Sequence, residues 1–239
     1  MSLSNALSYL TVLPIPFKKH LPLNRSVHHF PLVGAGMGSV LVLALLLFRT
    51  VLPPYFACLA TIAVLEAMTG GIHLRAVAEL MDGRRTFPGS GFGVKPEYHW
   101  KGITAVAILL AVKVECLVHI RTDWQPFAVL LAPILGRGSQ ALGIIFSKHR
   151  LESSRGKLDP QVRSRQRRAL LFTALLLTAM CLFPLKTAGI LIFQYFLVMM
   201  AAFRFLNSRM EGLTVQTLGT VAETTEVTFL LVAAALSQS

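Results

Sequence analysis

The chain has 239 residues, 54% of them hydrophobic and only 14% charged, with a formal net charge of +12 and a mean hydropathy of +0.62. Roughly 20 apolar residues cross a bilayer as a helix, and the long apolar runs here exclude an ordinary soluble domain. The excess of basic residues alternates from loop to loop, which excludes a nucleic-acid-binding face as its main explanation.

The first segment, SNALSYLTVLPIPF, has no positive charge ahead of it and is interrupted by two prolines, so it does not read as a cleaved signal peptide. It reads as a short amphipathic or re-entrant segment leading into FKKHLPLNRS. Seven candidate spans follow, at about 31–52, 54–71, 103–120, 125–146, 169–185, 187–205 and 219–236. Basic residues number three in 1–30, five in 71–102, eight in 147–168 and two in 204–216, against one each at Arg49, Arg121 and Lys186 in the alternate loops. The positive-inside rule then puts the N-terminus in the cytoplasm and the C-terminus outside. Attraction to anionic lipid is a second use of the same charge. The expected fold is an all-α polytopic membrane protein, taken as one integral-membrane unit over 1–239.

Cys58, Cys116 and Cys181 fall in predicted spans without metal-ligand spacing, and read as apolar packing residues. The Gly- and Pro-rich stretch 83–102 and the basic stretch 147–168 are expected as cytoplasmic loops, and no internal repeat is visible.

Ionisable residues inside a span are costly and mark function by default. Here they are Glu66, Lys113, Glu115, Arg137, Glu223 and Glu226. Glu223 and Glu226 are three apart on one helix face, so both can point at one cation. The competing reading is a set of structural pairs, such as Lys113 with the neighbours of Glu115, or Arg137 with Glu66. The stretch TGGIHLRAVAELMDGRR, residues 69–85, adds His73, Arg75, Glu79 and Asp82. If 73–83 is helical, Arg75, Glu79 and Asp82 lie at i, i+4 and i+7 on one face. Glu79 and Asp82 are suited to Mg²⁺, which takes a few carboxylates plus substrate phosphates. Arg75 either pairs with Glu79 or clamps a phosphate.

Five blocks, in order, resemble the cobalamin synthase family (adenosylcobinamide-GDP ribazoletransferase). SYLTVLPIPF resembles the family's F-L-T-x-x-P-x-P, and HHFPLVGAGMGSVL its F-P-L-V/I-G-x-x-x-G. TGGIHLRAVAELMDG resembles T-G-G-x-H-L-D-G-L-A-D-x-x-D-G, the most diagnostic block. GRGSQALGIIFSKHR resembles an S-R-G-x-x region followed by a basic turn. GLTVQTLGTVAETTEVTFLL resembles G-x-T-G-D-T-L-G-A-x-x-E-x-x-E, matching at Thr214, Thr217, Leu218, Gly219, Glu223 and Glu226. Arg75 and Gln216 stand where the family has aspartates, Val215 replaces a glycine, and Glu79 conservatively replaces an aspartate. The family's M-x-D-S-R-x-G-x-x-G segment is largely replaced by KPEYHWKG.

The resemblance implies that a ribose hydroxyl of α-ribazole, or of its 5′-phosphate, attacks the cobinamide-bearing phosphate of adenosylcobinamide-GDP and expels GMP. It implies catalytic roles for His73, Glu79 and Asp82, substrate contacts at Arg75, Arg137, Thr217 and Gly219, and Mg²⁺ on Glu79, Asp82, Glu223 and Glu226. It also implies a multi-pass protein of the cell inner membrane, with the lipid bilayer and these small molecules as partners, no nucleic acid, and a homo-oligomer left open. The lost acidic positions motivate an alternative, a divergent non-catalytic relative that binds or moves a corrinoid or phosphorylated ligand.

Overall fold

The computed structural model describes residues 2–13, 26–83, 99–146, 183–209 and 215–238, and these are helical with no strand among them. The elements are α1 Ser2–Leu10, a 3₁₀ turn Val27–His29, α2 Phe30–Val51, α3 Pro54–Thr69, α4 Ile72–Met81, α5 Trp100–His119, α6 Gln125–Phe146, α7 Leu185–Arg209 and α8 Val215–Ser237. Five helices are long and apolar enough to cross a membrane, and α3 with α4 makes a sixth if that bent pair is one span. The chain is therefore a polytopic all-α membrane protein. Of the expected span 169–185 only 183–185 fall inside the described residues, of the expected loop 83–102 only 83 and 99–102 do, and the expected loop 147–168 lies wholly outside them.

α6 and α8 form the interior. α2 lies along α6, and α4, α5, α6 and α7 all border α8. Small residues set these approaches. A methyl group at Gly34 would sit 2.6 Å from the carbonyl oxygen of Pro133, and one at Gly38 would collide with Leu130. Four residues apart on α2, these two glycines admit the α6 backbone, as small residues do wherever membrane helices touch closely. Pro133 lies inside α6, where its ring leaves the carbonyl four residues earlier without its helical donor. One apolar core gathers Leu131, Leu135, Leu191, Tyr195 and Phe229; another gathers Leu41, Leu45, Cys58, Leu65 and Leu117. Large apolar side chains point outward on the peripheral helices, among them Leu43, Ile108, Phe193 and Met200. A lipid tail, not water, is the natural neighbour for such a surface.

The expected span 54–71 is a shorter helix that stops at Thr69. Gly70 and Gly71 both take the left-handed backbone, at φ 61° and 64°, and α4 leaves at 88° to α3. Only glycine adopts two such residues in succession without strain. The residues after α1 dock on this corner: the Val12 N–H donates to the Met68 carbonyl at 3.0 Å, and the Val12 side chain fills the place of a Gly70 methyl. The N-terminal segment is thus a helix whose Ala6 and Leu10 are buried, and it braces the turn that begins α4.

Candidate active site

The ionisable residues of the spans meet in one place. Lys113 of α5 is fully buried, and its ammonium lies 2.6 Å from Glu223, 3.0 Å from Glu226 and 3.2 Å from Glu66. Arg137 of α6, also fully buried, pairs with the other oxygen of Glu226. Three carboxylates from α3 and α8 are thereby met by two cations from α5 and α6. Removing one partner from such a buried set is far costlier than losing a surface pair, because it strands a charge in a low dielectric. A methyl group at Gly136 would lie 2.6 Å from the Glu226 Oε1, so the glycine before Arg137 makes room for the carboxylate.

Arg137 is only partly used by this network. Its Nε and Nη2 are buried and have no hydrogen-bond partner among the described residues. One turn further along α6, Gln140 donates from Nε2 to the Leu218 carbonyl at 3.2 Å and lies 3.4 Å from the Nδ1 of His73. His73 is 4% exposed, and its Nε2 likewise has no partner among the described residues. Thr217 is buried beside Leu218 at the start of α8. Gly219 lets α8 approach α4: a methyl group there would be 2.7 Å from the Cβ of Ala76 and 3.2 Å from the His73 Nδ1.

The second carboxylate group lies along α4. Arg75 Nε donates to the Glu79 Oε1 at 2.8 Å, an i,i+4 pair with Arg75 the more exposed member. Asp82 closes the helix and reaches across to α5, accepting from the His99 N–H at 2.9 Å and the Gly102 N–H at 2.8 Å. It therefore caps a neighbouring helix whose own N-cap residue makes no side-chain cap bond. Gly102 permits this contact, since a methyl group would lie 2.6 Å from the Asp82 Oδ2.

Each expected site residue thus has a definite place. His73, Arg137, Thr217, Gly219, Glu223 and Glu226 lie along the junctions of α8 with α4, α5 and α6, and Arg75, Glu79 and Asp82 run along α4. Glu115 is separate, exposed and beside His119. Among the described residues no three His, Cys, Asp or Glu side chains are grouped to hold a metal ion. Glu223 and Glu226 already face the Lys113 ammonium. Glu79 faces Arg75 and Asp82 faces two α5 N–H groups, and the remaining lone pairs of these two carboxylates are what a Mg²⁺ carried by substrate phosphates could take.

Two residues were not singled out by motif. The competing reading of structural pairs has the kind of contact right and the partners wrong: Lys113 meets Glu66 and Glu226, 47 and 113 positions away on two other helices, and Arg137 meets Glu226. Gln140 had a readable signal: it follows Arg137 by three and so shares its helix face.

Residues 2–89 and 100–234 match the family model described as cobalamin-5-phosphate synthase. The adenosylcobinamide-GDP ribazoletransferase of Syntrophobacter fumaroxidans is 30% identical over 249 residues, covering 97% of this chain and 97% of that protein. That of Desulfitobacterium hafniense is 28% identical over 238 residues, covering 95% and 93%. That of Geotalea daltonii is 31% identical over 161 residues, covering 64% of each. No solved structure matches the chain. With the TGG corner, the α4 carboxylates and the two α8 glutamates each falling inside the matched residues, the chain belongs to the cobalamin-5-phosphate synthase family.

Proposed function

We propose that this chain is an adenosylcobinamide-GDP ribazoletransferase of the cell inner membrane. The chain is a transferase of cobalamin biosynthesis. A ribose hydroxyl of α-ribazole, or of its 5′-phosphate, forms a new bond to the cobinamide-bearing phosphorus, the bond to the GMP oxygen breaks, and GMP leaves with the electron pair and takes up the hydroxyl proton. Little covalent work falls to the protein in such a transfer. Its contribution is positioning and stabilisation of charge on the phosphoryl oxygens.

The observation that carries this reading is the set of unused, buried donors on α6 and α4. The Nε and Nη2 of Arg137 form a planar fork for phosphate oxygens, held in place by Glu226 on the guanidinium's other side. The His73 Nε2 is a second unused group one helix away. Arg75, at the exposed edge of α4, supplies a further cation where the substrate enters, and Thr217 adds a hydroxyl at the start of α8. Glu79 and Asp82 would hold Mg²⁺, which when bound with the pyrophosphate neutralises charge that builds on the leaving GMP. Glu223 and Glu226 hold the two buried cations instead, and so orient Arg137.

Each relative described above is named as an enzyme, and this favours catalysis over the non-catalytic alternative. The alternation of basic loops supports a cytoplasmic N-terminus and a site reached from the cytoplasm. Complementation tests the reading. A bacterium lacking its own cobalamin synthase, carrying this chain, is expected to grow on cobinamide plus the lower-ligand base. Absence of growth with the protein present in the membrane would contradict it.

A further inference from the structure

Gln140 decides how His73 can act. Its side chain is 2% exposed and bridges α8 and α4. The Leu218 oxygen is a carbonyl and can only accept, so the nitrogen of the Gln140 amide, not its oxygen, must face it. Orientation of an amide is normally a choice made from the surrounding network, and here one obligate acceptor makes that choice. The same NH₂ group has a second hydrogen, and the atom in reach of it is the His73 Nδ1 at 3.4 Å.

A ring nitrogen that accepts carries no proton. A protonated Nδ1, in the other neutral tautomer or in the imidazolium, would set donor against donor. His73 is then neutral with its hydrogen on Nε2. Gly219 adds an independent constraint: the α8 backbone closes against the Nδ1 side of the ring, 3.2 Å from where a methyl group would stand. The ring therefore turns Nδ1 into the protein and leaves Nε2 as the free edge. That edge is buried without a partner among the described residues. A buried N–H with no acceptor is costly unless a ligand supplies one.

We propose that Gln140 is a positioning residue that fixes His73 as an Nε2–H donor, and that this N–H meets an oxyanion of the phosphoryl substrate instead of taking a proton from the attacking hydroxyl. The proton stays on His73 throughout, its role is charge stabilisation, and the proton of the attacking hydroxyl passes to the departing phosphate oxygen of GMP. The inference rests on the transferase reading for the identity of the anion. The tautomer itself does not.

The test has a spectroscopic arm and a kinetic arm, both on the full chain in lipid nanodiscs. Nitrogen-15 NMR of histidine-labelled protein is assigned by subtraction of a His73→Gln spectrum. The expected result is a His73 ring protonated at Nε2 and bare at Nδ1, with that preference lost in Gln140→Leu. A proton on Nδ1 in the unaltered chain would overturn the proposal without any appeal to activity. In the kinetic arm, loss of one oxyanion donor typically lowers kcat by about 10²–10³, and His73→Ala is expected to fall by that much. His73→Gln restores an N–H near the Nε2 position and is expected to recover most of the loss in kcat. Equal inactivity of both, in folded protein, would make His73 a base and sink the proposal. A wild-type chain that releases no GMP while its His73 carries the Nε2 proton would overturn the transferase reading and uphold the role of Gln140.

Discussion

The Lys113 ammonium and the Glu223 carboxylate lie 2.6 Å apart, both buried, from positions 110 residues apart in the chain. Two glutamates three apart on α8 do converge on a cation, and that cation is a side chain. Lys113→Ala strands the buried Glu223, leaves the buried Glu226 with Arg137 alone and frees the half-buried Glu66, and breaking a buried pair costs about 3–5 kcal/mol. The expected result is a markedly lower unfolding midpoint in detergent, partly restored by adding Glu223→Gln. An unchanged midpoint for the single variant would contradict the network.

Gly136 and Gly219 hold α8 against α6 and α4 through space that a methyl group would fill. Overpacking a tight contact typically costs about 1–3 kcal/mol. Gly136→Ala is expected to be the worse of the two for turnover, because its methyl group meets the Glu226 carboxylate that anchors Arg137. Gly219→Ala is expected to disturb the His73 ring. Thermal unfolding and single-turnover rates read these effects separately.

Asp82 serves two ends that substitution can separate. Loss of a cap costs about 0.5–2 kcal/mol. The His99 and Gly102 N–H groups donate to different oxygens of Asp82, so asparagine keeps an acceptor for only one of them and loses the charge that favours Mg²⁺. Asp82→Asn is expected to unfold between the wild-type and Asp82→Ala midpoints while GMP release falls steeply. Asp82→Ala is expected to lose both. If Asp82→Asn kept full activity, the residue would be a cap alone.

Arg75 is partly exposed and paired with Glu79 at i,i+4. Such pairs contribute about 0.3–0.5 kcal/mol, so Arg75→Ala should leave stability nearly unchanged. A raised KM for adenosylcobinamide-GDP with little change in kcat is the expected kinetic result. A lower kcat at unchanged KM would place Arg75 on the transition state.

The helices were legible because apolar runs of bilayer length leave little choice: 31–52 against Phe30–Val51 and 125–146 against Gln125–Phe146 differ by a residue at most. The α3–α4 corner was less so. Composition continued the run through residue 71, while the two left-handed glycines ended it at Thr69. The i, i+4, i+7 face of Arg75, Glu79 and Asp82 was correctly spaced, but Asp82 falls just past the helix end and turns to α5. The partners of Lys113 were not legible at all. Which charge meets which across a bundle depends on helix rotation and depth, and neither is written in the spacing of one segment.

The most direct measurement is GMP release by purified membranes carrying the chain, supplied with adenosylcobinamide-GDP, α-ribazole and Mg²⁺. Release that stops in a Glu79→Ala/Asp82→Ala double variant, and on removal of Mg²⁺ by chelation, is the predicted result. Release no greater than that of the double variant, from protein shown to be folded in the membrane, would contradict the account.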